Sequence, residues 1–436
     1  MTVTRYLLLG VTCLGAACAG TPRPSAVTPA EIPALLTRAR QQPNNATVRF
    51  RLAAALMAAG RCDTAVVVAR AGQLLAPADA LGPLVLGGCQ EKDGRYDLAF
   101  ATYTDFAAQH PEARGVGAVR AKAQIALRTQ AEQTARQALA SESTLTSLPP
   151  EPSTLAVLPV TISGDSSFQP LSRGLAELIT SDLALVRSLR LLERVQIGAL
   201  MDELKLGQSQ RSDPTTAARV GRLLRAERMV QGVASITPDG PVRLSATVVR
   251  GDGTVRSGAQ ANGTFKQLLD LEKQLVFSLA TQLGIQLTDA ERQRILRQGP
   301  RNLAAFLAYS EGLDALDRGD YRAAAAAFSA SVRADPTFQA AQQQQQAAAA
   351  APAVQASGGD VVTVVEAVEQ VTAPPEPPML GALQSTKDET SPSLGGAPLN
   401  KDTGTEATQP KLTPASQGIN SVTSASGVIR IIFKLP

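Results

Sequence analysis

The chain has 436 residues, more than one compact domain of about 100–200 residues holds, so two or three domains are expected. Its 42 basic and 38 acidic residues leave a net charge of +4, a near-balance that excludes the clustered basic excess of a nucleic-acid binder. One His and four Cys largely exclude His-rich metal centres and His-based triads, since the commonest general base is nearly missing.

Residues 1–17 read as a secretion signal. Arg5 supplies the positive start, and the apolar run from Tyr6 to Leu14 is shorter than the roughly 20 residues of a membrane-spanning helix. Leu14-Gly15-Ala16-Ala17-Cys18 resembles a bacterial lipobox, in which small side chains fit a narrow peptidase subsite and the Cys18 thiol takes a diacylglyceryl group. The alternative is an ordinary signal cut near Ala17, with Cys18 a bystander. Ala19 stands where an Asp would signal inner-membrane retention, which favours an outer-membrane anchor facing the periplasm. Two or three acyl chains anchor stably where one is marginal. Residues 18–27 then serve as a flexible tether.

Gly60, Ala65 and Pro77 recur as Gly94, Ala99 and Pro111, each displaced by 34 residues. That is the tetratricopeptide (TPR) period, with a small residue where paired helices approach, a glycine at the turn and a proline closing the repeat. The copies cover about residues 46–113, flanked by helices over Thr28–Gln42 and Gly115–Ser141. The consensus Trp and Tyr of the first helix are missing, so the repeats are degenerate. A third copy lies far downstream, where Gly312, Gly319, Asp320, Tyr321, Ala324, Phe328 and Pro336 keep the same spacing. A lone repeat cannot bury its own face, so it must pack on a neighbouring domain or a partner chain. Such a stack resembles those that offer a groove to a peptide or protein, and a simple spacer is the alternative.

Cys62 and Cys89 are the only cysteines left once Cys13 is cleaved off and Cys18 acylated. Cys62 opens the second helix of one repeat and Cys89 lies in the first helix of the next. In an oxidising periplasm a disulfide is plausible, and two buried thiols acting as small hydrophobes are the alternative.

After a Pro-rich joint, Leu148-Pro149-Pro150-Glu151-Pro152, the pattern alternates between strand and helix. Thr154–Val160 is a short apolar run fit for a strand buried on both faces. Leu171, Leu175, Leu178, Ile179, Leu183 and Val186 recur at helical spacing. Leu189–Glu193 reads as a strand and Ile197–Leu206 as a helix. Asp213 and Pro214 start another helix, as N-cap and first helical residue. Three β segments follow, about Met229–Ile236, Val242–Arg250 and Thr254–Gly263, with hairpin turns at Pro238-Asp239-Gly240 and Gly251-Asp252-Gly253. A helix from Phe265 to Leu283 closes the unit, with Gly284 placed to end it.

This stretch, about Leu155–Leu287, resembles the periplasmic domain of the curli-secretion lipoprotein (CsgG/HfaB) family. The residues concerned are Leu155-Ala156-Val157-Leu158-Pro159, Gly174–Thr180, Leu191–Arg194, Asp213–Ala218 with Val220-Gly221, and Val230–Val233. The resemblance implies a domain that forms a periplasmic ring. The curli member also inserts two long hairpins per subunit into a shared barrel, which demands roughly 40 residues. Here the β segments are joined by turns of a few residues, so the domain is not expected to span the membrane by itself. The individual residues have an ordinary structural reading: Gly174 and Gly221 allow close packing, and Glu193-Arg194 is a solvated strand end.

Thr288-Asp289-Ala290-Glu291 has capping-box spacing and begins a helix leading to the lone repeat. From Gln339 the composition collapses into Gln and Ala runs and many prolines, which predicts a mostly disordered linker over 341–426. Gly427–Pro436 breaks the trend with six large apolar residues in ten, a strand expected to add to a sheet edge in its own central domain or in a partner.

The expected architecture is multidomain, α and α/β: TPR-like repeats over 28–145, a joint at 146–153, the CsgG-like domain over 154–287, helices with one TPR-like hairpin over 288–340, the linker and the terminal strand. No phosphate loop, dinucleotide fingerprint or Cys-x-x-Cys occurs, so no catalytic, cofactor-binding or metal-ligating residue is assigned. His110 reads as a surface cap, and Asp202-Glu203 and Glu177/Asp182 as solvated faces. These features point to a non-enzymatic, lipid-anchored scaffold or adaptor that self-associates and binds proteins through the TPR groove, without nucleic acid or cofactor. A curli-like secretion-channel component whose barrel comes from elsewhere is the alternative.

Overall fold

The computed structural model describes residues 26–206, 210, 213–237 and 240–372. The signal segment, Cys18, part of the Pro238-Asp239-Gly240 turn and the terminal strand lie outside them. The N-terminal part is a stack of helices: α1 (Ile32–Gln41), α2 (Ala46–Ala58), α3 (Cys62–Gln73), α4 (Leu81–Lys92), α5 (Tyr96–Gln109), α6 (Val116–Ala140) and the short α7 (Glu142–Ser147). Each helix packs on the next, and the core is Leu52, Leu56, Leu84, Tyr103 and Phe106.

The 34-residue period has a direct geometric counterpart. Gly60 and Gly94 sit at φ +74° and +72°. The following amide bonds back five residues, Arg61 N to Leu56 O at 2.8 Å and Arg95 N to Gln90 O at 2.8 Å, the hydrogen bond of a glycine-ended helix. Ala65 and Ala99 are wholly buried where the paired helices meet.

The central domain is built on one sheet of β1 (Glu151–Val157), β2 (Thr161–Gly164), β3 (Arg190–Leu191), β4 (Ala226–Ile236), β5 (Pro241–Arg250) and β6 (Val255–Thr264). The order is β3-β1-β4-β5-β6, with β2 also on β4. The first three strands run parallel to β4 or β1, and β4-β5-β6 form an antiparallel meander. One face is covered by α8 (Leu171–Leu183) and, from beyond the meander, by the helix Leu268–Gln282, through Leu175, Ile179, Val230, Leu244, Leu271 and Leu275. The other face packs against α9 (Arg194–Glu203) and α10 (Pro214–Leu223). We label Leu268–Gln282 α11. The Asp213 side chain accepts from Thr215 N with Pro214 at the first turn, and Gly284 at φ +74° ends α11, both as the sequence predicts.

One boundary differs from expectation, and one helix with the expected bounds reaches beyond its own stack. β1 begins at Glu151, inside the Pro-rich joint, because its backbone pairs with Ala226 on β4. Helix α6 runs 25 residues and its far end, through Ala135 and Ala138, is buried with Leu158, Leu200 and Met229 of the sheet domain. The helical stack and the sheet therefore share a core across the joint.

The C-terminal part comprises α12 (Asp289–Arg297), α13 (Leu303–Asp317), α14 (Tyr321–Ala334), α15 (Gln339–Ala356) and α16 (Val361–Thr372). Thr288 and Glu291 form the capping box expected of them. The α13–α14 hairpin repeats the turn seen at Gly60 and Gly94, with Gly319 at φ +77°, Asp320 N on Ala315 O at 2.9 Å and Ala324 buried.

The expectation of a linker from residue 341 is corrected for residues 341–372, which form helices. Ala347, Ala348, Ala350 and Ala351 are buried, and α15 packs on both α14 and α6. Ala and Gln are strong helix formers. Two alanine-rich helices approach closely enough to bury apolar surface without large side chains, while Gln344 and Gln346 bond Gln124 and Arg120 across the contact. On α16, Val361, Val362 and Val364 join the core of the N-terminal stack, and Val27 N donates to Asp360 Oδ2 at 3.2 Å.

Candidate interaction surfaces

Gly174 on α8 marks the seam between the sheet domain and the α13–α14 hairpin. A Cβ there would lie 1.9 Å from Ser310 Oγ, so only glycine lets α13 come this close. Gly221 plays the matching role inside the domain, where a Cβ would meet Met229 Sδ at 2.1 Å. Both glycines act in close packing, as their sequence positions suggest.

Beside Gly174 lies an ion cluster that the sequence does not announce. Arg173 reaches Asp314 Oδ1 at 2.5 Å and also bonds Asp317. Arg194 bonds Asp317 Oδ2 at 2.6 Å and Glu177 Oε2 at 3.1 Å. The reading of Glu193-Arg194 as a solvated strand end is corrected for Arg194, whose side chain is 11% exposed. The α8–α13 contact closes over it. Burial works to raise the Asp317 carboxyl, but Arg194 and Arg173 outweigh it and hold it below the usual range. Burial alone would lower Arg194, and the carboxylates of Asp317 and Glu177 reverse that.

A second buried group is Asp182, Glu272 and Lys273, between α8 and α11. Asp182 and Glu272 are both fully buried, and Lys273 Nζ reaches Asp182 Oδ2 at 2.5 Å and Glu272 Oε2 at 3.4 Å. Asp182 Oδ1 is buried without a hydrogen-bond partner. Burial pushes the Asp182 carboxyl up to about 6 despite Lys273, and burial together with Asp182 holds Glu272 well above the carboxylate range. The solvated-face reading is thus corrected for Asp182. A glutamate on the apolar stripe of Leu268, Leu271, Leu275 and Leu279 was a legible signal of such a site. Asp202 and Glu203 are exposed, and His110 caps α5 with its ring 5.1 Å from that of Phe106.

On the helical stack, Cys62 and Cys89 face each other across α3 and α4 with Cα atoms 5.4 Å apart, within the span of a disulfide. Exposed apolar surface gathers on α3 and just beyond its end, where Val67 is 67% and Leu74 88% exposed. Val67 and Leu74 are two turns apart and share a face. The start of α6 is not open: a Cβ on Gly115 would lie 3.2 Å from Val365 Cγ1. Among the described residues, no group of three or more His, Cys, Asp or Glu could hold a metal, and no helix is long and apolar enough to cross a membrane.

The meander has four-residue links, 237–240 and 251–254. No curated protein matches the chain. Residues 153–237, from within β1 to just past the end of β4, match the family model of the curli production assembly/transport component CsgG; β5, β6 and α11 lie beyond that match, so the α/β domain between the two helical parts is similar to that family over its first four strands.

Proposed function

We propose that the chain is an outer-membrane-anchored periplasmic lipoprotein that scaffolds envelope assembly or protein secretion. In this reading Cys18 bears the lipid, the CsgG domain self-associates, and the TPR-like helices bind protein partners. The family is one of secretion and transport components, which supports a non-enzymatic role in that setting. The observation that supports a scaffold best is the double attachment of the helices to the CsgG domain, through α6 on one side and the Gly174 seam on the other. A partner held by the helices would keep a set orientation relative to the sheet. Val67 and Leu74 are the apolar side chains most available to such a partner. A Cys62–Cys89 disulfide would brace α3 against α4 beneath that surface, and a count of no free thiols in the denatured, unreduced mature protein is expected.

The experiment is the native mass of the detergent-extracted protein, with mass spectrometry of its N-terminus. A discrete higher oligomer with an acylated Cys18 is expected. A monomer would remove self-association, and an unmodified N-terminus would remove the anchor. The second reading, a curli-like secretion-channel component whose barrel is supplied elsewhere, draws on the family match itself. Detergent-dependent conductance from a complex with a second protein would favour it.

A further inference from the structure

The sheet ends in two edges among the described residues. β3 is two residues long and leads almost directly into α9, so it offers little to a further strand. β6 is ten residues long and, among the described residues, pairs with β5 alone. Edge strands are usually blunted by charges, prolines or short length. β6, Val-Arg-Ser-Gly-Ala-Gln-Ala-Asn-Gly-Thr, has one charge, Arg256, near its start and no proline.

The side chains beside this edge are also unusual. On the face covered by α11, β5 places Val242, Leu244 and Val248, whereas β6 places Ala259 and Ala261, followed by Gly263. The apolar layer under α11 therefore thins at its outer margin, where Phe265 and Leu269 are only partly buried. Strand addition there by a segment with large apolar side chains on alternate positions would fill the layer and satisfy the open backbone groups together.

The chain has such a segment. In Gly427–Pro436, Ile429, Ile431, Phe433 and Leu435 fall on one face of an extended strand, with Arg430 and Lys434 on the other. Its ten residues equal the length of β6. Residues 373–426 separate it from the end of α16, and at roughly 3.3 Å per residue that length of chain exceeds any distance it must cover on the body.

We propose that Gly427–Leu435 adds to the outer edge of β6 as a further strand of its own sheet, with Ile429, Ile431, Phe433 and Leu435 turned to the α11 side beside Ala259 and Ala261. The other candidate occupant is the same segment of a second copy, and the test separates them.

Amide hydrogen exchange over residues 255–264 is compared between the full chain and its Ile431→Pro variant, which bars a ladder without altering the described body. Outward-directed β6 amides are expected to exchange at least tenfold faster in the variant, while Ile431→Val keeps wild-type protection. A synthetic peptide of residues 426–436, added to a chain ending at residue 425, is expected to restore the protection. Equal exchange in the full chain and Ile431→Pro would overturn the proposal. Protection that disappears on dilution, together with a dimer that Ile431→Pro abolishes, would assign the strand to a second copy and overturn it as stated.

Discussion

At the residue scale, the Asp182–Glu272–Lys273 group gives stability a defined pH dependence. Both carboxyls have folded-state pKa values above their unfolded ones, so the folded chain retains protons that the unfolded chain would release. That stabilisation is full below about pH 4 and falls as pH rises through about 6 for Asp182, and Glu272 acts in the same direction. A shift of this size is worth about 3 kcal/mol. Asp317 works in the opposite sense: its lowered pKa contributes stability above the ordinary carboxylate range that is lost in acid. Thermal melts of Glu272→Gln from pH 5 to 9 should show a flatter profile than wild type, with the largest gain at the alkaline end. An unchanged slope would mean that Glu272 does not titrate as its burial implies. Arg194→Ala takes the guanidinium from Glu177 and leaves Asp317 with Arg173 alone, and a loss of about 2–3 kcal/mol is expected from chemical denaturation. Exchange should rise first in α13, which meets α8 at that cluster.

At the element scale, the TPR-like hairpins owe their shape to two kinds of glycine. Gly94 needs its positive φ but has no atom within 4 Å of a would-be Cβ, so Gly94→Ala should cost only the backbone strain, about 1–2 kcal/mol. Gly312 lies inside α13, where a Cβ would sit 2.5 Å from the Phe328 ring; a valine there must displace Phe328 from the hairpin core. Gly312→Val should lower the melting temperature more than Gly94→Ala does, and the reverse order would count against the packing role. Gly87 faces Tyr103 in the second repeat as Gly312 faces Phe328 in the third, with the same spacing from the turn glycine. The second and third copies thus share one glycine–aromatic contact, and the first has Ala53 and Ala69 at the matching positions.

At the scale of the described body, α15 and α16 return to the N-terminal helices. The chain leaves the N-terminal helices, builds the sheet domain, crosses to α13 and α14 against α8, and returns along α6 to the core near Val27. Ala350→Glu would bury a carboxylate near Gly117 on α6, at a cost of about 3 kcal/mol or more. Limited proteolysis should then cut within 339–372 while the sheet domain stays folded. If the variant resists cleavage as wild type does, the return along α6 is not what holds these helices.

Much of this architecture was legible without coordinates, because it depends on local rules. The 34-residue period, the Asp213-Pro214 helix start, the Gly284 helix end, the Thr288–Glu291 capping box and the strands of the meander all follow from residues close together in the chain. β2 escaped, since four residues with one buried side chain leave almost no periodic signal. Arg194 and Asp182 escaped because a charged side chain on a helix reads as solvated until a distant element covers it, whereas Glu272 stands on an apolar stripe and was open to detection. The alanine and glutamine run from 339 escaped for a related reason: its small side chains bury little surface alone and pack only because α6, more than 200 residues earlier, presents an equally smooth face. By itself, then, the sequence determined the helix caps, the repeat turns, the meander strands and which family the central domain resembles, through short-range hydrogen bonding and side-chain periodicity. Only the tertiary structure decided which charges are buried and which helices meet, because both depend on surfaces brought together from distant parts of the chain.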